Sequence, residues 1–190
     1  MIEVAPATPE RWPDVVDLFE RVGPRGGTPI TSGCWCQYWH LRGQAYTNGW
    51  GGGNRRRLEK EVRSGDEPGL LAWIGGEAVG WCRLGPRRSF ERVQASKLRP
   101  PDEDDGAWAV VCFYVHPAAK RKGVATTLLG AAVEHASARG APVLEAYAVR
   151  PGHANIDAYT GYRQIFEAAG FEPVRAAGRR TVMQRRLSRP

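Results

Sequence analysis

The 190-residue sequence predicts a mixed α/β fold occupying one domain over 1–190. Three observations carry that expectation. Trp108–Val115 is an apolar, aromatic and β-branched run of strand length, as a central strand buried on both faces requires. A basic, glycine-containing turn follows at once and opens into a periodic helix at about 123–139. Upstream, Leu70–Ile74 and Ala78–Leu84 flank Gly75-Gly76-Glu77, a hairpin signal.

The remaining elements follow in chain order. A short strand at 2–5 leads to Thr8-Pro9, a capping hydroxyl followed by a helix-starting proline. Trp12, Val15, Val16 and Phe19 then recur at helical spacing until Gly23-Pro24. The stretch 24–53 is irregular and holds Cys34-Trp35-Cys36-Gln37-Tyr38-Trp39-His40. Asn54 is expected to cap a charged helix to about 64, with Leu58 and Val62 on its apolar side. A polar loop with Pro100-Pro101 and the acidic run 102–105 precedes the central strand. In the 123–139 helix, Leu128, Leu129, Ala132, Val133 and Ala136 share a face, and Gly140 stops it. Val143–Val149 reads as a strand, about 161–169 as a helix closed by Gly170, and the end as one or two strands including Thr181-Val182-Met183.

Composition narrows the class. Hydrophobic residues are 42% and charged residues 25%, the balance of an ordinary globular domain. No apolar run approaches the roughly 18–20 residues that cross a bilayer, so no membrane partner is expected. Met1-Ile2-Glu3-Val4 lacks a basic segment followed by an apolar one, which argues against a signal peptide. Cysteines at 34, 36, 82 and 112 match no disulfide-rich secreted framework; reduced thiols in a cytoplasmic protein are the simpler expectation. The net charge of +7 is spread over scattered arginine pairs. With no helix-turn-helix, zinc-finger or aromatic RNA-binding strand motif, a nucleic-acid partner is not expected. A homodimer is compatible with everything above.

The chemistry lies in Tyr114-Val115-His116-Pro117-Ala118-Ala119-Lys120-Arg121-Lys122-Gly123-Val124-Ala125-Thr126. A strand, a basic loop and a helix start succeed one another. The first amides of a helix have no internal partner and lie at the positive end of its dipole, which suits a phosphate or pyrophosphate. Gly123 removes a side chain where an anion approaches the backbone, and three cations precede it.

This order of elements resembles the GNAT superfamily of acyl-CoA-dependent N-acetyltransferases. Their central strand ends in Val-x-Pro and their acetyl-CoA loop reads Gln/Arg-x-x-Gly-x-Gly/Ala; here Val115-His116-Pro117 precedes Lys120-Arg121-Lys122-Gly123-Val124-Ala125. Lys120 departs from the usual Gln or Arg while keeping the charge. Val143-Leu144-Glu145-Ala146 resembles the fifth strand, and Phe166-Glu167-Ala168-Ala169-Gly170-Phe171 the last helix and its exit; the match covers about 108–171. The resemblance implies a mixed sheet with flanking helices, splayed between its fourth and fifth strands. It implies acetyl-CoA as co-substrate with no metal, its pantetheine arm paired with Phe113, Tyr114 and Val115. The amides from Arg121 to Thr126 would hold the pyrophosphate. The acceptor would be an amine of a small molecule or protein N-terminus, attacking directly in a ternary complex. A non-catalytic acyl-CoA-binding sensor of the same fold is the alternative.

Catalytic candidates are fewer. Some relatives place a base on the fourth strand, at positions that here are Ala109 and Val111, and neither can accept a proton. Others use a carboxylate on the fifth strand, where Glu145 falls; it serves as base, or it is an edge residue or the partner of an arginine. His116 lies just beyond the central strand, beside the loop. The family's usual tyrosine acid is replaced by Phe166; Tyr162, one helical turn earlier, is the substitute candidate, or a packing tyrosine that leaves bulk water as the donor. Trp35 and Tyr38 either wall the acceptor pocket by cation–π or stacking contacts or form core for an irregular lobe. A metal site from Cys34, Cys36, Cys82 and His40 lacks a second ligand-pair motif.

Overall fold

The computed structural model describes residues 1–99, 106–150 and 155–188, with backbone alone for 155–157. The elements are β1 (Ile2–Pro6), α1 (Trp12–Glu20), α2 (Thr31–Cys34), α3 (Gly43–Thr47), α4 (Gly52–Arg63), β2 (Gly69–Ile74), β3 (Glu77–Pro86), α5 (Glu91–Gln94), β4 (Trp108–Val115), α6 (Val124–Ala138), β5 (Val143–Val149), α7 (Arg163–Ala168), β6 (Glu172–Ala177) and β7 (Arg180–Arg186). One seven-stranded sheet runs in the order β1-β2-β3-β4-β5-β7-β6. Its β4–β5 contact is parallel, and its other neighbours are antiparallel. The acidic run 102–105 lies outside the described residues.

Each face of the sheet carries its own core. On one, α6 buries Leu128, Leu129, Ala132 and Ala136 against Leu70, Cys82, Val110, Leu144 and Ala146. Each fully buried leucine there contributes about 1.5–3 kcal/mol. Helix and sheet approach closely because Gly80 of β3 lacks a side chain: a Cβ would stand 2.5 Å from Val124 Cγ1. The first residue of α6 is thereby pressed onto the sheet. On the other face, α1 and α4 cover Leu71, Ala78 and Trp81, while Trp39, Phe90 and Val93 pack beside Ala109, Val111 and Tyr147.

Strand β4 contains an irregularity that matters for the site. Arg83 pairs with Cys112 but Leu84 pairs with Val110, leaving Val111 without a partner on β3. Such a bulge breaks the two-residue alternation and re-aims the side chains beyond it. Val111 and Cys112 consequently share the face opposite α6, whereas Val110 and Phe113 face the helix.

Two expectations about local structure are corrected. Asn54 is no cap: Gly51 takes that position, and Asn54 is buried within α4, where its Nδ2 donates to the carbonyls of Gly33 (3.3 Å) and Tyr46 (3.4 Å). It ties the irregular 31–50 stretch to the helix. The segment at 161–169 is helical only from Arg163, so Tyr162 is extended and precedes α7.

Candidate functional site

Strands β4 and β5 pair only between Trp108–Val110 and Leu144–Ala146, and then part. Cys112 to Val115 keep their β3 partners along one edge. Among the described residues their other edge has no strand beside it over that length, and an unpaired edge is a template for an extended ligand. A cleft of about 740 Å³ opens there, between Phe113 and Val115 on one side and Tyr159, Tyr162 and Ile165 on the other.

The basic loop closes one end of this cleft. Arg121 and Gly123 both adopt left-handed backbone (φ 63° and 84°), curling the chain into the start of α6. At Gly123 this conformation favours glycine, and a Cβ there would meet nothing within 4 Å, so the space over the backbone is open to a ligand. The first helical bond runs from the Thr127 amide to the Gly123 carbonyl (3.0 Å), which leaves the amides of Val124, Ala125 and Thr126 ahead of the ladder. Lys120, Arg121 and Lys122 are exposed around them. Of the residues expected to hold the co-substrate, Phe113, Tyr114, Val115, Lys120, Arg121, Gly123, Val124, Ala125 and Thr126 line the cleft, and Lys122 does not. Backbone curvature, helix start and cation supply fit a pyrophosphate.

Glu145 is enclosed by polar partners. It is 1% exposed, on the face of β5 turned away from α6. Its Oε1 accepts from Arg87 Nη1 (3.0 Å) and Gln184 Nε2 (2.8 Å), and its Oε2 accepts from the Tyr147 hydroxyl (3.1 Å). Both oxygens of this carboxylate are thus engaged, one of them by a guanidinium. Burial, then the Glu145 charge, pushes the Tyr147 hydroxyl well above its ordinary range and keeps it a donor. The arginine partner that the sequence left open for Glu145 is present. Tyr147 was within reach of sequence reasoning, two residues along the same strand face; Arg87 and Gln184 were not.

Tyr162 is 46% exposed and lines the cleft, bridged to Val149. Phe166 is fully buried against Phe113 and Phe171, with its para carbon toward Gly161, a residue of the cleft lining. His116 is buried with its backbone amide bonded to Val79 O (2.9 Å), a strand-end anchor.

The segment 34–40 divides. Trp35 belongs to the core: it is buried against Trp12 and Phe19, its indole N–H donates to Ser32 O (2.6 Å), and no ring surface is left for an acceptor. Tyr38 is half-buried, with rings of Trp39, Tyr46 and Tyr159 around it and the Arg92 guanidinium 4.1 Å above its face. It therefore stands on the same side of the sheet as Tyr147, toward the residues that border the cleft at Tyr159. Cys82 faces α6, on the opposite side of the sheet from Cys36, and the four candidate metal ligands do not converge. Among the described residues, no helix is long and apolar enough to cross a membrane.

Comparison with known proteins agrees with this geometry. No curated protein matches the chain in sequence. Among solved structures, the PaiA N-acetyltransferase from Thermoplasma acidophilum, in complex with coenzyme A, is 15% identical over 98% of this chain and 99% of its own (TM-score 0.53). The ribosomal-protein-alanine N-acetyltransferase from Brucella melitensis is 19% identical over 97% and 99% (TM-score 0.56). A GNAT family acetyltransferase from Listeria monocytogenes is 13% identical over 98% and 95% (TM-score 0.61). At these identities the likeness is one of fold. The profile of the Acetyltransferase (GNAT) family matches residues 35–162, which takes in the β4 edge, the basic loop and α6. The chain belongs to the acetyltransferase (GNAT) family.

Proposed function

We propose that this protein transfers an acetyl group from acetyl-CoA to an amine by direct attack within a ternary complex. The observation that carries the reading is the junction of the free β4 edge with the Lys120–Thr126 loop in one cleft. Bound acetyl-CoA supplies the activated thioester. The chain's own part is positioning: loop amides and α6 hold the anionic end, and Phe113–Val115 offer backbone groups to the arm. That geometry directs the acyl end toward the splay, beside the Val111 bulge.

Proton handling favours one class of acceptor. A lysine amine is about 0.1% neutral at pH 7.4, a penalty of roughly 4 kcal/mol, whereas an α-amine with pKa near 7.8 is about a quarter neutral. With Glu145 committed to Arg87, the site suits an amine that needs little help from a base, as in a small-molecule amine of low pKa or a protein N-terminus. The ribosomal-protein-alanine N-acetyltransferase among its structural neighbours is compatible with the latter. Tyr162, at the cleft wall, is the candidate donor to the departing thiolate.

The sensor alternative draws support from Phe166, an apolar core residue at the position of the usual acid. Incubating the protein with acetyl-CoA, a panel of small amines and N-terminal peptides, and a thiol reagent separates the two. Thiol release that depends on the amine supports the enzyme; tight acetyl-CoA binding with no release across the panel supports the sensor.

A further inference from the structure

We propose that Cys36 and Cys112 are a redox modification site, forming a reversible disulfide that links the 31–40 segment to β4. The two residues are 76 positions apart in sequence, yet their sulfurs lie 3.4 Å apart. Two features of the backbone bring them together. Trp35 and Cys36 both adopt left-handed conformations (φ 45° and 51°), unusual for residues with side chains, and this tight turn leaves Cys36 buried in the core that covers the sheet. From the other side, the Val111 bulge re-aims Cys112; in regular alternation from Val110 its thiol would face α6. Closing the sulfurs to the roughly 2.05 Å of a disulfide requires a small side-chain movement.

The surroundings favour a thiolate at Cys36. Hydrogen bonding from Cys112 lowers the Cys36 pKa, burial opposes it, and the Arg83 guanidinium lowers it further. Arg83 is 2% exposed, directly across from Cys112 in the β3–β4 register, and bonded to Glu61, with His40 at 3.4 Å. Its Nε and Nη1 are buried without a hydrogen-bond partner among the described residues. Glu61 acts in the opposite direction. Cys82 is set apart from the pair: burial pushes its thiol up to about 12, and it packs toward α6.

The oxidant is a peroxide, small enough to reach a buried sulfur. The Cys36 thiolate attacks one peroxide oxygen, the O–O bond breaks, and the leaving hydroxide takes a proton to become water. The Cys112 thiol then displaces water from the resulting sulfenic acid, forming the S–S bond and giving its proton to the departing oxygen. In total two thiols lose two hydrogens and hydrogen peroxide becomes two waters. A dithiol reductant reverses the link by exchange.

The test needs no acetyl transfer, so its outcome is independent of the proposed activity. The full chain is treated with hydrogen peroxide, its remaining thiols are alkylated after denaturation, and it is digested without reduction. The expected result is a peptide containing Cys36 joined to one containing Cys112, reversed by dithiothreitol. The melting temperature should rise by roughly 5–10 °C on oxidation, and neither Cys36→Ser nor Cys112→Ser should show the rise. The wild-type peptide map stands even if a serine variant folds poorly. A link made through Cys34, an irreversible sulfinic acid at either position, or four thiols that still alkylate after peroxide would each overturn the proposal.

Discussion

Replacing Glu145 distinguishes a support from a catalyst. Its carboxylate is 1% exposed, faces Arg87 at 3.0 Å, and accepts from Gln184 and Tyr147. Removing one member of a buried ion pair costs about 3–5 kcal/mol. The lower end applies here, because Arg87 keeps other interactions. For a chain of this length each kcal/mol moves the melting temperature by about 2–4 °C, so Glu145→Ala should melt roughly 6–12 °C lower. Glu145→Gln retains one acceptor oxygen but loses the charge and should fall about halfway. The double variant Arg87→Met/Glu145→Leu, which removes both charges in favour of apolar bulk, should recover most of the loss. Thermal and urea melts read the stability, and calorimetry with acetyl-CoA reads the cleft. A Glu145→Ala protein that melts like wild type would refute the supporting role. So would a Glu145→Gln protein of unchanged stability and acetyl-CoA affinity whose turnover drops about 10²-fold, since that is the signature of a base.

Three further outcomes follow from the same geometry. Gly123→Asp places a carboxylate over the loop at φ 84°; calorimetry should show acetyl-CoA affinity collapsing in a folded protein, and unchanged binding would remove the loop from the site. Gly80→Ala drives a methyl to 2.5 Å from Val124 Cγ1, and overpacking at that contact should cost about 1–3 kcal/mol in a urea melt, with weaker acetyl-CoA binding as the α6 start is displaced. Tyr162→Phe should slow acetyl transfer by less than the roughly 10⁴-fold upper limit for acid–base catalysis, since a thiolate leaving group has a pKa near 8.5; a dead variant that still binds acetyl-CoA would raise Tyr162 to an essential acid, and an unaltered rate would give the proton to solvent.

Amino-acid order specifies those parts of the molecule whose information is local. The apolar run Trp108–Val115, the turn at Gly75-Gly76, the periodic face of Leu128, Leu129, Ala132, Val133 and Ala136, and the Lys120–Thr126 loop are each contiguous, and pattern and turn chemistry act over a few residues. The basic loop was legible for that reason: strand, loop and helix start are consecutive, so chain order alone brings most of its groups into one cleft.

Tertiary structure decided everything that depended on which face or which distant partner a side chain met. Spacing leaves Glu145 open between base and ion-pair partner, and its partners Arg87, 58 residues away, and Gln184, 39 residues away, come only from the tertiary structure. Trp35 reads as a pocket wall or as core until α1 supplies Trp12 and Phe19 to bury it. Phe166 stands at the family's acid position in sequence, and only the fold shows its ring packed between Phe113 and Phe171. A single unpaired residue at Val111 reverses the facing of Cys112, which strict alternation would have assigned to the α6 side. In each case the deciding energy is burial or pairing between segments far apart in the chain, and a local hydrophobic pattern specifies that a residue is buried without specifying against what.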